Sequence, residues 1–260
     1  MHYNLDAGLL RTGDDADFIM IGNFWDFNIL ATYVKGNLIY ENGITFIGHL
    51  AVSPENIFVA ELITSEDLWI KPTGNSIRVI EAFDGELVTG ELIQKINENV
   101  ENLVSDIEND ILKIVVINRY EKSKPAIGFI KNFGLKTGAI ASSVAHDSHN
   151  IIAVGTNDDL ITKAVNAVIK TKGGLSVVSE NSNNFMPLPI AGIMTDMEGY
   201  KAAELYGKLN EKVKSLGCKL NAPFMTLSFM ALLVIPALKL SDKGLFDGRT
   251  FQFTELFLTQ

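Results

Sequence analysis

The sequence predicts an α+β protein in two units, residues 1–62 and 63–260. Three observations predict it. Short apolar or alternating runs recur along the whole chain, as strands require. Two segments after residue 155 instead repeat their apolar residues at helical spacing. The order of strands, two helices and strands argues for an α+β or mixed α/β domain.

The elements follow in order. In the first unit, Gly8-Leu-Leu-Arg-Thr-Gly13 leads into a strand at Phe18-Ile-Met-Ile. Ile29 to Val34, the turn Lys35-Gly36-Asn37 and Leu38-Ile-Tyr predict a hairpin, with Gly36 and Asn37 supplying positive φ. In the second unit, Ser76 to Glu81 and Glu86 to Thr89 read as strands joined by Phe83-Asp84-Gly85. Apolar residues at 92, 93, 96, 100, 103 and 107 suit a helix by period. Ile111 to Ile117 is a strand, Glu121 to Pro125 an exposed turn, and Ala126 to Ile130 the returning strand. Thr156-Asn-Asp-Asp159 opens a helix whose buried stripe is Leu160, Ile161, Ala164, Val165 and Val168, ended by Gly173 and Gly174. Strands are expected at Leu175 to Val178 and Leu188 to Ala191. Asp196 is expected to cap a helix lined by Ala202, Leu205, Tyr206, Leu209, Val213 and Leu216. Phe251 to Leu258 alternates as a final strand.

One stretch organises the rest. Gly138 to Ala145 reads as a nearly continuous buried strand, and so does Ile151 to Val154. Between them stand His146, Asp147, Ser148, His149 and Asn150. An Asp between two His can fix an imidazole tautomer, accept a donor from a substrate or help hold a cation. The plain alternative is a polar turn that satisfies its own backbone.

The same residues carry a resemblance. Ala141-Ser-Ser-Val-Ala-His-Asp-Ser-His-Asn-Ile151, then Val154-Gly-Thr-Asn-Asp158, resembles the C-terminal part of adenine deaminases of the amidohydrolase superfamily. Leu188-Pro-Ile-Ala-Gly-Ile-Met194, Pro223-Phe-Met-Thr-Leu-Ser-Phe229 and Ile235 to Leu245 fit as well. The resemblance spans the whole chain. It implies a partial amidohydrolase β-sandwich over 1–62 and an adenine deaminase C-terminal α+β domain over 63–260, with strands and a loop across 92–107. Met1 to Leu5 resembles the tail of the family's metal-binding barrel, so a split-gene product, a truncated reading frame or an excised piece is expected. The sandwich would then want strands from elsewhere, leaving an open edge or apolar face for a separate barrel subunit or for self-association through 1–62.

Composition narrows the classes. Apolar residues are 47% of 260, enough for a sizeable core, and net charge is −9 with no Lys/Arg run, which argues against binding nucleic acid through its phosphates. The single cysteine, Cys218, precludes an intrachain disulfide and fits a cytoplasmic location. Ala222 to Leu238 is uncharged but short and broken by Pro236, so it is read as core, with no membrane contact.

The chemistry rests on few groups. The four His are His2, His49, His146 and His149; no His-x-His or Cys-x-x-Cys occurs, and His2 and His49 are assigned no role beyond facing solvent. A hydrolytic metal centre needs about three ligands, and in a turn or strand His146 and His149 face different ways. Ser143, Ser148 and Cys218 lack triad spacing. Met186, Met194, Met197, Met225 and Met230, with Phe224 and Phe229, could wall a flat purine site, but core is their simpler role. The resemblance implies addition of water at C6 of adenine, giving hypoxanthine and ammonia. Its divalent metal (Mn, Fe or Zn) is held by the barrel, so no cofactor is assigned to this chain. His146, Asp147, His149 and Asn150 are the residues expected to contribute. A stand-alone binding module, or a small metal-binding domain using His146 and His149, are the alternatives.

Overall fold

The computed structural model describes residues 7–48, 50 and 53–258. His2, His49 and the Met1–Leu5 segment lie outside them. The chain divides into two compact units, Met1–Ala51 and Val52–Gln260.

The first unit is a four-stranded antiparallel sheet in sequence order: β1 (Phe18–Ile21), β2 (Ile29–Val34), β3 (Asn37–Glu41) and β4 (Ile44–Thr45). The β2–β3 hairpin forms as expected, but its positive φ values fall on Lys35 (49°) and Gly36 (75°), not on Asn37. Two central residues with φ > 0 match the right-handed twist of the strands. Phe18 stacks on its cross-strand neighbour Tyr33, with ring centroids 4.7 Å apart. Little else is covered. Ala31 is the buried apolar residue of this sheet, whereas Trp25 is 95% exposed, Phe24 87% and Ile44 62%.

The second unit is built on a nine-stranded sheet. Its strands are β5 (Ser76–Glu81), β6 (Gly90–Lys95), β7 (Ile111–Ile117), β8 (Ala126–Lys131), β9 (Ala139–Ser142), β10 (Ile151–Gly155), β11 (Gly174–Ser179) and β12 (Ser182–Pro187), with β16 (Phe257–Leu258). The helices are α1 (Asp158–Lys170), α2 (Gly199–Ser215) and α3 (Pro223–Phe229), and β13 (Leu238–Ser241), β14 (Gly244–Asp247) and β15 (Gln252–Phe253) make a separate three-stranded sheet. The order across the large sheet is β12-β11-β9-β10-β7-β8-β5-β16, with β6 on the other side of β5. All its pairings are antiparallel except β5–β8.

Both faces of this sheet are covered, which is why β7, β9 and β10 are buried throughout. Leu112, Ile114 and Val116 of β7 pack with Leu209, Val213, Leu227 and Leu240 on one side. Val115 and Ile117 pack with Leu160, Ile161, Ala164, Val165 and Val168 of α1 on the other. The two-residue strand period assigns each side chain its face.

Asn157 caps α1, accepting from the Leu160 amide at 2.9 Å, and the expected stripe is buried. Several expectations are corrected. Glu86 to Thr89 is not a strand; the partner of β5 starts at Gly90, and Thr89 instead pairs with Pro236 and Ala237. The helical spacing over 92–107 belongs to β6 followed by a loop. Leu188 to Ala191 forms no strand, only a bridge from Ile190 to Met194. Glu198, not Asp196, caps α2, accepting from the amides of Tyr200 and Lys201. The final strand splits at the loop after β15, and its halves join different sheets. Residues 53–62, read with the first unit, are held by the second: the Arg119 carbonyl accepts from Val59 N, and the Ala191 amide donates to Glu55 O. Among the described residues no helix is long and apolar enough to cross a membrane.

Candidate functional site

The antiparallel register fixes where the polar cluster lies. Ser142 pairs with Ile152, and Ile151 pairs with Ile117, so residues 143–150 form the β9–β10 loop at the end of the sheet where β7 also finishes. Leu175 pairs with Ser142, which brings Gly173 and Gly174 to the same end. Chain segments distant in sequence therefore meet around His146 to Asn150.

Each member has a definite environment. The His146 amide donates to Ser228 O at 3.1 Å, and its ring stacks on Phe229 at 4.9 Å. Asp147 and Ser148 are exposed. His149 takes φ = 51° and donates its amide to Ala145 O at 2.6 Å, closing the turn. Its half-buried ring meets that of His146 edge to face, with centroids 5.4 Å apart, and its Nδ1 is buried without a hydrogen-bond partner. Asn150 is buried, and its Oδ1 accepts from the Arg119 amide at 3.3 Å. Burial lowers the proton affinity of His149 first; His146 and Arg119 lower it further, and Asp147 opposes them.

Two groups that the sequence did not single out complete the site. Arg119 is buried, its guanidinium donating to Ala191 O and to the Tyr120 hydroxyl, both at 2.7 Å. Tyr120 in turn donates to Ser148 O at 3.1 Å. A lone Arg between a strand and a turn carries no sequence signal, because its partners lie up to 72 residues away.

Other candidates resolve differently. Ser143 is fully buried, its hydroxyl donating to Gly192 O and accepting from Gly174 N at 2.8 Å, so it is a structural link rather than a nucleophile. Cys218 is buried, and burial pushes its thiol up to about 11, which leaves almost no thiolate at neutral pH. Met186, Met230 and Phe224 are core, Met194 and Met225 are half exposed, and Phe229 alone of this group stacks on the cluster.

The arrangement can present a neutral imidazole and an exposed carboxylate side by side. It does not fit the metal that the resemblance implies. Among the described residues no three His, Cys, Asp or Glu side chains converge as ligands. The two imidazoles meet edge to face, and that of His146 stacks on Phe229. No step through a metal is assigned to these residues.

Comparison with known proteins bears on the whole chain. A family profile described as adenine deaminase C-terminal domain matches residues 86–252. An adenine deaminase of Methanosarcina mazei is 49% identical over 98% of this chain and 48% of its own length. One from Salinibacter ruber is 48% identical over 99% of this chain and 47% of its own, and one from Borreliella burgdorferi is 43% identical over 98% and 47%. The chain thus spans about half the length of the curated relatives it matches.

Proposed function

The chain belongs to the adenine deaminase family, and from that premise we propose that it forms the C-terminal region of a hydrolase of purine metabolism that converts adenine and water into hypoxanthine and ammonia. His146, Asp147, His149 and Asn150 are its contribution to the reacting site. The observation that carries this is the His149 ring, held at the end of two fully buried strands, with an exposed carboxylate two residues away. A neutral imidazole near pH 7 can accept a proton or donate one to a purine edge. Asn150 acts by bracing, since its Oδ1 is occupied by the Arg119 amide.

The remaining half of the relatives' length is where the catalytic metal belongs in this reading. The chain alone, supplied with manganese, iron or zinc, does not deaminate adenine; turnover above a protein-free control that survives repurification would overturn this. Residues of the first unit act as part of a β-sandwich that docks to that remaining half, on a separate subunit or in a self-associated form. The exposure of Phe24, Trp25, Ile44 and Phe46 supports it.

The test of the turn is substitution of the residue equivalent to His149 in an intact homologous enzyme. Asn is the better replacement, because it tolerates the positive φ that would strain Ala. Participation lowers kcat/KM about tenfold or more while melting temperature and metal content hold. A normal rate with a lowered melting temperature would reduce the cluster to a structural turn.

A further inference from the structure

Arg119 lies in a slot built for a guanidinium. The rings of Phe58 and Tyr120 flank it, with centroids 5.7 and 4.7 Å from its Cζ. Gly192, at φ = 70°, yields the remaining space: a Cβ there would stand 1.9 Å from Nη1. Burying a cation so fully is costly unless hydrogen bonds compensate it, and here the Ala191 carbonyl and the Tyr120 hydroxyl do so. Two links tie that position to the cluster. The Arg119 main chain holds Asn150, and its Nη2 reaches the Ser148 carbonyl through the Tyr120 hydroxyl. Ser148 and Asn150 are the two neighbours of His149. The Arg119 Nε and the His149 Nδ1 are both buried without partners.

We propose that Arg119 is the positioning residue of the His146–Asn150 turn: it clasps His149 from both sides and sets a fixed positive charge beside the turn, so that the ring is presented with its proton on Nε2. This rests on the reading of His149 as a contributor to deamination. The tautomer follows from the buried Nδ1. Near a cation a bare lone pair costs less than an unpaired N–H. The charged and titratable groups around the ring are His146 and Asp147 on its own turn and Arg119 and Tyr120 from the loop after β7. The neighbouring α3 residues, Ser228 and Phe229, and the 191–192 segment bring no charge.

The experiment is a histidine NMR titration of the full chain labelled with 13C and 15N on His, with His149 assigned by its loss in H149N. R119Q should raise the His149 midpoint by about half a pH unit or more, whereas R119K, keeping the charge, should leave it nearly in place. G192A, which displaces the guanidinium without removing it, should move the midpoint in the R119Q direction and serves if R119Q does not fold. The ring 15N shifts should report the proton on Nε2. Equal midpoints in wild type, R119Q and G192A, or equal shifts in R119Q and R119K, would overturn the proposal. The parallel assay keeps the two readings apart. If H149N at the equivalent position leaves kcat/KM unchanged while R119Q moves the midpoint, the catalytic reading fails and the clasp stands. If H149N lowers kcat/KM and the midpoint never moves, the clasp fails alone.

Discussion

Replacing Asp158 with Asn should be among the most damaging single changes in the second unit. Lys113 lies on the α1 face of β7, fully buried, with its Nζ 2.6 Å from Asp158 Oδ1 and 2.8 Å from Leu68 O. Asp158 is 8% exposed, and its Oδ2 accepts from Asn102 Nδ2 at 2.7 Å. D158N preserves shape and leaves the Asn157 cap in place, but it strands an ammonium among neutral acceptors. Breaking a buried pair this way costs about 3–5 kcal/mol, a large part of a typical stability of about 5–15 kcal/mol. The double change K113M/D158L, which removes both charges, should recover most of that loss. Urea unfolding of the full chain, followed by circular dichroism, measures both. The pH response gives an independent sign. Burial already lowers the Lys113 proton affinity, with Asp158 opposing it. Without the carboxylate the folded affinity falls further, so the unfolded chain binds more protons below the ordinary lysine value. D158N should therefore gain stability as pH rises from neutrality towards about 10. A D158N cost under about 1 kcal/mol would refute the reasoning, because that is the scale of a solvated surface pair.

Acidification should destabilise the fold through His149. Its folded proton affinity lies below the ordinary value, so its contribution is complete above about pH 6.5 and is lost as pH falls below that; H149N should flatten this limb in pH-dependent melting, and an unchanged limb would argue against it. Cys218 should resist iodoacetamide until the chain is denatured, since burial suppresses its thiolate; stoichiometric labelling of the native chain within minutes would contradict this. Hydrogen exchange of a dilute monomer should show residues 18–45 exchanging ahead of 111–117, and equal protection would count against the first unit as the less self-sufficient part.

The parts of the fold legible in sequence are those where local chemistry and tertiary packing agree. In α1 the Asn157 cap, the apolar stripe and the closing glycines all point one way, and its bounds follow. The β7 run was equally plain, although its central Lys113 was a visible sign of a buried ion pair that a strand assignment passes over. Across 92–107 the apolar residues do recur at helical spacing. Leu92 instead packs under β5 in a strand, and Ile96 and Leu103 return to the same cluster from a loop. Over 251–258 the alternation was real, but Phe251 takes φ = 58° and the segment turns between sheets. At the site, the polar turn stood out because apolar strands bracket it. Arg119 did not, because its role depends on Phe58, Ala191 and Gly192 converging from distant segments.

The pairing of β5 has a consequence for how the chain is made. Its C-terminal half lies beside β8, but its N-terminal half is closed by β16, with Phe257 against Ile77 and Leu258 against Ser76. The fit is tight: Asn75 N donates to Leu258 O at 3.1 Å, and a Cβ on Gly74 would lie 2.3 Å from that oxygen. During translation these residues leave the ribosome about 180 positions before their partner, roughly ten to forty seconds at ordinary elongation rates. For that interval Ser76 and Ile77, which end fully buried, belong to a nascent sheet with one margin open. Closure of the second unit is thus coupled to the emergence of residues 257–258, and a ribosome stalled short of residue 256 would hold out a strand edge that any neighbouring chain can occupy.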